Sequence, residues 1–196
     1  MNTEKPGRLF NRGENMIPIL SYIVLWVLVI LVSFSTLTLL KRKPIIPGLP
    51  LQDKGLTKGT RIPLLKLQSI TGGEINLIQQ DKLGTLLIFV SANCHGCLEV
   101  YPALDPFVNR HPDISINLAI SGDDNEILEK IEKYNIRVPV IKPNSKELED
   151  LKISLFPFAY FLAPNGSVLA KGGVAGGLQH LELLIREASV IKRGVA

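Results

Sequence analysis

Thr85-Leu86-Leu87-Ile88-Phe89-Val90-Ser91-Ala92-Asn93-Cys94-His95-Gly96-Cys97 contains both cysteines of the 196-residue chain. The apolar run 85–90 reads as a buried strand. Beyond it, Leu98, Tyr101, Leu104, Phe107 and Val108 recur at three- and four-residue spacing, which predicts a helix over 98–110 packed on one side. Pro102 predicts a kink or a later start for that helix. Two residues between two cysteines let the sulfurs form and release a disulfide, and a thiolate at a helix start is favoured by free N–H groups and the helix dipole. The stretch therefore points to thiol–disulfide exchange.

Working outward, 64–68 and 74–77 are short strand-like runs around Gly72-Gly73, a predicted hairpin. Downstream, Ile114, Ile116, Leu118 and Ile120 alternate as a strand. Asp123, Asp124 and Glu126 then open a helix to 134, and helix-start charge complementarity explains these acids better than a cation site does. A short strand at 138–141 and a short helix at 145–151 follow. Next comes a hairpin, 158–163 with 168–171, around Pro164-Asn165-Gly166-Ser167, and a closing helix over 178–188 with Leu181, Leu184, Ile185 and Ala188 on one face. Alternating strands and helices with a terminal hairpin predict an α/β domain with a mixed sheet over 61–190, with a tail at 191–196.

Upstream, 15–40 carries no formal charge, and 17–40 is long and apolar enough to cross a hydrocarbon core of about 30 Å. No small-x-small cleavage site follows it, so it reads as an uncleaved single-pass anchor contacting membrane lipid rather than a signal peptide. A short tail, 1–16, precedes the anchor. Pro18 suits a first helical turn, and Tyr22 and Trp26 suit an interface. Residues 41–60 begin a proline- and glycine-spaced linker, with Pro44, Pro47, Pro50, Gly48, Gly55 and Gly59, which reads as a semi-stiff tether. The net charge of +4 comes from the flanks of the anchor, because from residue 44 onward basic and acidic side chains balance at 16 each. A nucleic-acid partner thereby loses its main support. Three Lys/Arg precede the anchor and three follow it, so charge does not orient it. A tethered dithiol is most useful where disulfides persist, which puts the domain on the extracytoplasmic face of a membrane, the plasma membrane being the expected one.

The order of elements resembles the thioredoxin superfamily and its membrane-anchored TlpA-like branch, and within that branch the methylamine-dehydrogenase accessory protein (MauD) family. The resemblance is carried by Leu86-Leu87-Ile88-Phe89-Val90-Ser91, Leu118-Ala119-Ile120-Ser121-Gly122-Asp123, and Leu155-Phe156-Pro157-Phe158-Ala159-Tyr160-Phe161-Leu162 with Asn165-Gly166 and Ala170-Lys171-Gly172. It implies a thioredoxin-like fold with an N-terminal hairpin extension, preceded by one transmembrane helix. It also implies Cys94 as the attacking thiolate, Cys97 as the resolving thiol, and Phe156-Pro157 as a cis-proline site that presents backbone to a client; taken alone, Pro157 reads equally as a strand-edge proline. The implied partners are a disulfide-containing client protein, served during its maturation, and a membrane redox protein for regeneration. No cofactor or metal is implied. His95, with Gly96, is the tuning position: a protonated imidazole would favour the thiolate, whereas a solvent-directed ring would merely cap. Three departures from thioredoxin stand out: its buried acid is Ile88 here, the tryptophan before its first cysteine is Asn93, and its proline between the cysteines is Gly96.

Rival chemistries fit less well. A peroxiredoxin-type peroxidase could use Ser91 before Cys94, but its motif wants proline where Leu87 stands. Copper delivery could draw on Cys94, Cys97 and His111 or His180. Haem attachment needs histidine where Leu98 stands, and zinc needs two more ligands. Gly172-Gly173 and Gly176-Gly177 lack a following Lys-Ser/Thr and read as flexible turns rather than a phosphate loop.

Overall fold

The computed structural model describes residues 16–41, 50–64, 66–70 and 72–194, with side chains described over 21–34, 50–64, 66–70 and 72–190. The tail before Met16, the linker over 42–49 and the last two residues lie outside the described residues. The chain divides into two compact units, Met1–Ile46 and Pro47–Ala196.

The first unit contains helix α1, Met16–Lys41. Its described side chains are exposed and, apart from Ser21 and Ser33, apolar, with Tyr22 and Trp26 one turn apart and edge to face, centroids 6.2 Å apart. Among the described residues no helix is long and apolar enough to cross a membrane. The run with described side chains, 21–34, is shorter than the roughly 20 residues a crossing takes, and the outer side chains of the expected anchor lie beyond it.

The second unit is built on a five-stranded sheet of order β5-β4-β3-β6-β7. The strands are β3 (Gly84–Ser91), β4 (Ile114–Ser121), β5 (Val140–Ile141), β6 (Phe158–Leu162) and β7 (Val168–Gly173). β3 pairs parallel with β4 and antiparallel with β6, so the sheet is mixed, as expected. The expected hairpin forms a separate two-stranded sheet, β1 (Lys66–Gln68) with β2 (Glu74–Asn76), joined to β5 by a bridge between Ser69 and Ile141. β3 is apolar throughout because both of its faces are covered. Leu86, Ile88 and Val90 face one core with α2 (Leu104–Arg110), α3 (Asp124–Lys133) and α5 (Leu178–Gly194), while Leu87 and Phe89 face a second core with Leu56, Leu77, Leu151 and Tyr160. The short helix α4, Ser145–Asp150, precedes Leu151.

Three expectations change. The linker is not a free tether from residue 50 onward: Leu56 is buried, Gly59 N–H and Ile62 N–H donate to Val168 O and Gly166 O at 2.8 and 2.9 Å, and Gly173 N–H donates to Pro50 O at 2.6 Å. This segment covers the edge of β7, which would otherwise expose unpaired backbone groups. Gly172 and Gly173 belong to β7 rather than to a turn, whereas Gly176-Gly177 does form the turn before α5. α5 also continues to Gly194, through most of the predicted tail.

Candidate functional site

β3 ends at Ser91 in the middle of the sheet, and Ala92 N–H donates to Ser121 O at 2.9 Å, extending the parallel ladder by one residue. The chain then turns, with Cys94 N–H donating to Ser91 O at 3.1 Å. Cys94 is extended at φ −88°, ψ 114°, and caps a 3-10 turn, His95–Cys97. Cys94 and Cys97 are joined by a disulfide with Cα atoms 5.4 Å apart. Cys94 is partly exposed, whereas Cys97 is 0% exposed and belongs to the core shared by α2 and α5. A disulfide with one sulfur at the surface and one beneath it can be reached by another thiol at Cys94 only.

Of the helix predicted over 98–110, the α-helix runs only from Leu104 to Arg110, the later start that Pro102 predicts, and two 3-10 turns, His95–Cys97 and Tyr101–Ala103, precede it. Pro102 has no N–H to return to Leu98, and Pro106 fits the first turn of α2, where no such bond is required. The free N–H groups that follow Cys94 are thus those of a short turn, and the full dipole of a long helix does not act on the sulfur.

Phe156-Pro157 is a cis peptide bond, as the resemblance implied. Pro157 is buried, and its carbonyl accepts Val174 N–H at 3.2 Å. A methyl group built on Gly96 would lie 3.8 Å from Pro157 Cδ, so the cysteine turn and the cis-proline loop are neighbours in space although far apart in sequence. Phe156 is partly exposed beside Leu155, a large apolar side chain left exposed at the surface. His95 and Gly96 are both exposed, and His95 makes no hydrogen bond or ion pair among the described residues.

Two contacts at this end of the sheet were not legible in the sequence. Asn93 Nδ2 donates to Glu126 Oε1 at 2.9 Å, and Glu126 Oε2 accepts Asp123 N–H at 3.1 Å, as in a capping box. These two bonds, the Asn93 amide foremost, hold the Glu126 carboxyl below its ordinary value. On the inner side, Tyr101 stacks on Tyr134 at 4.7 Å, and its buried hydroxyl has no partner among the described residues. Burial, aided by Tyr134, pushes the Tyr101 phenol up to about 12. It stays protonated at neutral pH and offers no base to Cys97.

His111 and His180, candidate ligands for copper, are placed in other work. His111 Nε2 lies 3.2 Å from Glu182 Oε2, with its ring against Phe107 at 4.8 Å, while His180 Nδ1 accepts Gly176 N–H at 3.2 Å. Among the described residues no three His, Cys, Asp or Glu side chains come together in a way that could hold a metal ion. Ser91, the residue the peroxidase reading would use, pairs with Ser121 at the end of the β3–β4 ladder.

No protein-family model and no curated protein matches the chain. Solved structures do. The thioredoxin domain of a thiol-disulfide oxidoreductase from Bacteroides vulgatus is 19% identical with a TM-score of 0.56, and the match covers 66% of this chain and 99% of that one. A putative thiol:disulfide interchange protein DsbE from Chlorobium tepidum is 15% identical with a TM-score of 0.59, over 68% of this chain and 99% of that one. A secreted disulfide oxidoreductase from Mycobacterium tuberculosis, described as homologous to DsbE of E. coli, is 16% identical with a TM-score of 0.53, over 63% and 94%. The second unit therefore has the α/β thioredoxin-like fold, with a disulfide-bonded Cys-x-x-Cys pair at the end of its central strand.

Proposed function

We propose that the chain is a thiol–disulfide oxidoreductase, tethered to a membrane through 17–40, that acts on disulfides of an extracytoplasmic client protein. The observation that carries this reading is the asymmetric disulfide: Cys94 is open to solvent, Cys97 is sealed beneath it, and Pro157 lies against the turn between them. The named activities of the structural neighbours support it. In the reducing direction the Cys94 thiolate attacks one client sulfur, and the other leaves as a thiolate. Cys97 then gives up its proton, which the released client thiolate takes, and attacks Cys94 Sγ in the mixed disulfide. The client's second sulfur departs as a thiolate, and two electrons have passed from the Cys94–Cys97 pair to the client. In the oxidising direction the same steps run backwards.

Phe156 and Pro157 present backbone and an apolar rim to the client. The MauD resemblance supports a role in maturing one disulfide-rich secreted or membrane partner, with a second membrane redox protein restoring the pair. The plasma membrane, with the C-terminal unit outside the cytoplasm, is the compartment where such an exchange persists. The test uses a disulfide-bonded protein substrate. Cys94→Ser should abolish exchange, and Cys97→Ser should accumulate a mixed disulfide through Cys94. Exchange that survives in Cys94→Ser, or hydrogen peroxide turnover supported by Cys94 alone, would overturn the reading.

A further inference from the structure

The Glu126 carboxylate is fixed beside the residue that precedes Cys94. One oxygen is held by Asn93 and the other by the Asp123 N–H. A methyl group built on Gly122, which has φ +155°, would meet Ala92 Cβ at 2.9 Å and Glu126 Oε2 at 3.0 Å, so the glycine leaves room for the carboxylate to approach the 92–93 turn. We propose that Glu126, held in place by Asn93, is a positioning residue that keeps a negative charge next to Cys94 and so makes the Cys94–Cys97 pair a stronger reductant. This rests on the oxidoreductase reading above.

The argument is electrostatic. Reduction of the disulfide takes two electrons and up to two protons and yields a dithiol whose Cys94 is part thiolate. Whatever favours the thiolate favours the reduced form, and a fixed anion nearby does the opposite. Glu126 is suited to the task because both of its hydrogen bonds are to the ionised form, which keeps the charge in place at neutral pH. The other charges at this end are accounted for. Lys130 lies one turn along α3, is shared with Glu129 at 3.8 Å and opposes Glu126 in part, Asp124 is paired with Lys142 at 2.5 Å, and exposed His95 and Glu99 lie between and just after the cysteines. Asp123 shares the helix start with Glu126 and adds to the negative field.

The experiment equilibrates the full-length protein with glutathione buffers of set potential and follows the Cys94 thiolate by its ultraviolet absorbance against pH. Glu126→Gln should shift the equilibrium about two- to threefold towards the reduced protein, the size expected of a solvent-screened charge within about one Debye length. This corresponds to a rise of about 9–14 mV in potential. The Cys94 thiol should titrate at a lower pH, and both effects should shrink in high salt. Glu132→Gln, which removes the same charge from an exposed position further along the same helix, should leave both unchanged. Should Glu126→Gln fail to fold, Asn93→Leu spares the cap of α3 and frees the carboxylate, and a smaller shift of the same sign is expected. An unchanged or lowered potential in Glu126→Gln or Asn93→Leu overturns the inference, as does an equal shift in Glu132→Gln. If the wild-type pair fails to equilibrate with glutathione at all, the oxidoreductase reading falls and takes this inference with it.

Discussion

The Tyr101 side chain is 2% exposed, and its hydroxyl has no partner among the described residues. A buried hydroxyl without a hydrogen bond forfeits on the order of 1–3 kcal/mol of hydration. Tyr101→Phe keeps the ring and its stack on Tyr134, so denaturant unfolding should show a protein equally stable or more stable by up to about that amount. A loss of stability would reveal a partner for the hydroxyl. Tyr160 is the opposite case. Its hydroxyl accepts Leu56 N–H and donates to Leu151 O, both at 2.7 Å, so Tyr160→Phe strands two backbone groups and should cost about 1–3 kcal/mol in the same measurement. Glu126 adds a pH signature. Its folded pKa lies below the ordinary 4.5, so its contribution to stability is complete above that value and is lost as pH falls through the lower, folded one. Asn93→Ala removes the main cause of the depression, and the acid limb of its stability curve should be shallower than that of the wild type. At this scale the sequence exposed Cys94, Cys97 and Pro157, because their meaning lies in local spacing and in the chemistry of the X-Pro bond. It hid the Asn93–Glu126 and Tyr160–Leu56 contacts, whose partners are brought together only by the sheet.

At the scale of elements, the strand, helix and hairpin order was legible because apolar periodicity reports which faces are buried, and β3, β4, β6 and α5 bury the faces their patterns indicate. In the segment after the cysteines the side-chain spacing suits a helix throughout, and Pro102 delays the α-helix to Leu104, the later start its missing N–H predicts; spacing records burial, while the missing N–H decides the backbone. The covering segment over 50–62 misled. Its prolines and glycines look like a tether, but its backbone bonds to β7 and its Leu56 enters the core. The Gly176-Gly177 turn gives a prediction at this scale. Gly177 has φ +54°, and a side chain there would drive into the carbonyl of Glu99, two residues past Cys97. Gly177→Ala should therefore push the cysteine segment away from the β7–α5 turn. A slower exchange rate and faster amide exchange around residues 97–103 are the expected outcomes, measured by single-turnover kinetics and hydrogen exchange. A variant with wild-type behaviour in both would show that the turn yields without moving the site.

At the scale of the whole chain, charge and apolarity are partitioned between the two units. All of the excess positive charge lies before residue 44, and the unit from Pro47 onward has its own two-sided sheet and its own core. A unit that buries its apolar faces internally folds without help, so residues 47–196 expressed alone should be water-soluble and should equilibrate with glutathione like the intact protein. The apolar side chains of α1 find no such cover among the described residues, and the expected anchor extends beyond them on both sides. Two kinds of membrane attachment then make different predictions. Basic flanks acting alone would bind anionic vesicles and release them as salt shortens the Debye length. A hydrocarbon-spanning helix is insensitive to salt, because its attachment comes from burial of apolar surface. The full-length chain should therefore stay with both neutral and anionic vesicles through high-salt and alkaline washes and leave only in detergent, whereas 47–196 should float free of both. Release of the full-length chain by salt would reduce 17–40 to a surface contact and would remove the tether from the proposed function without touching the chemistry of Cys94 and Cys97.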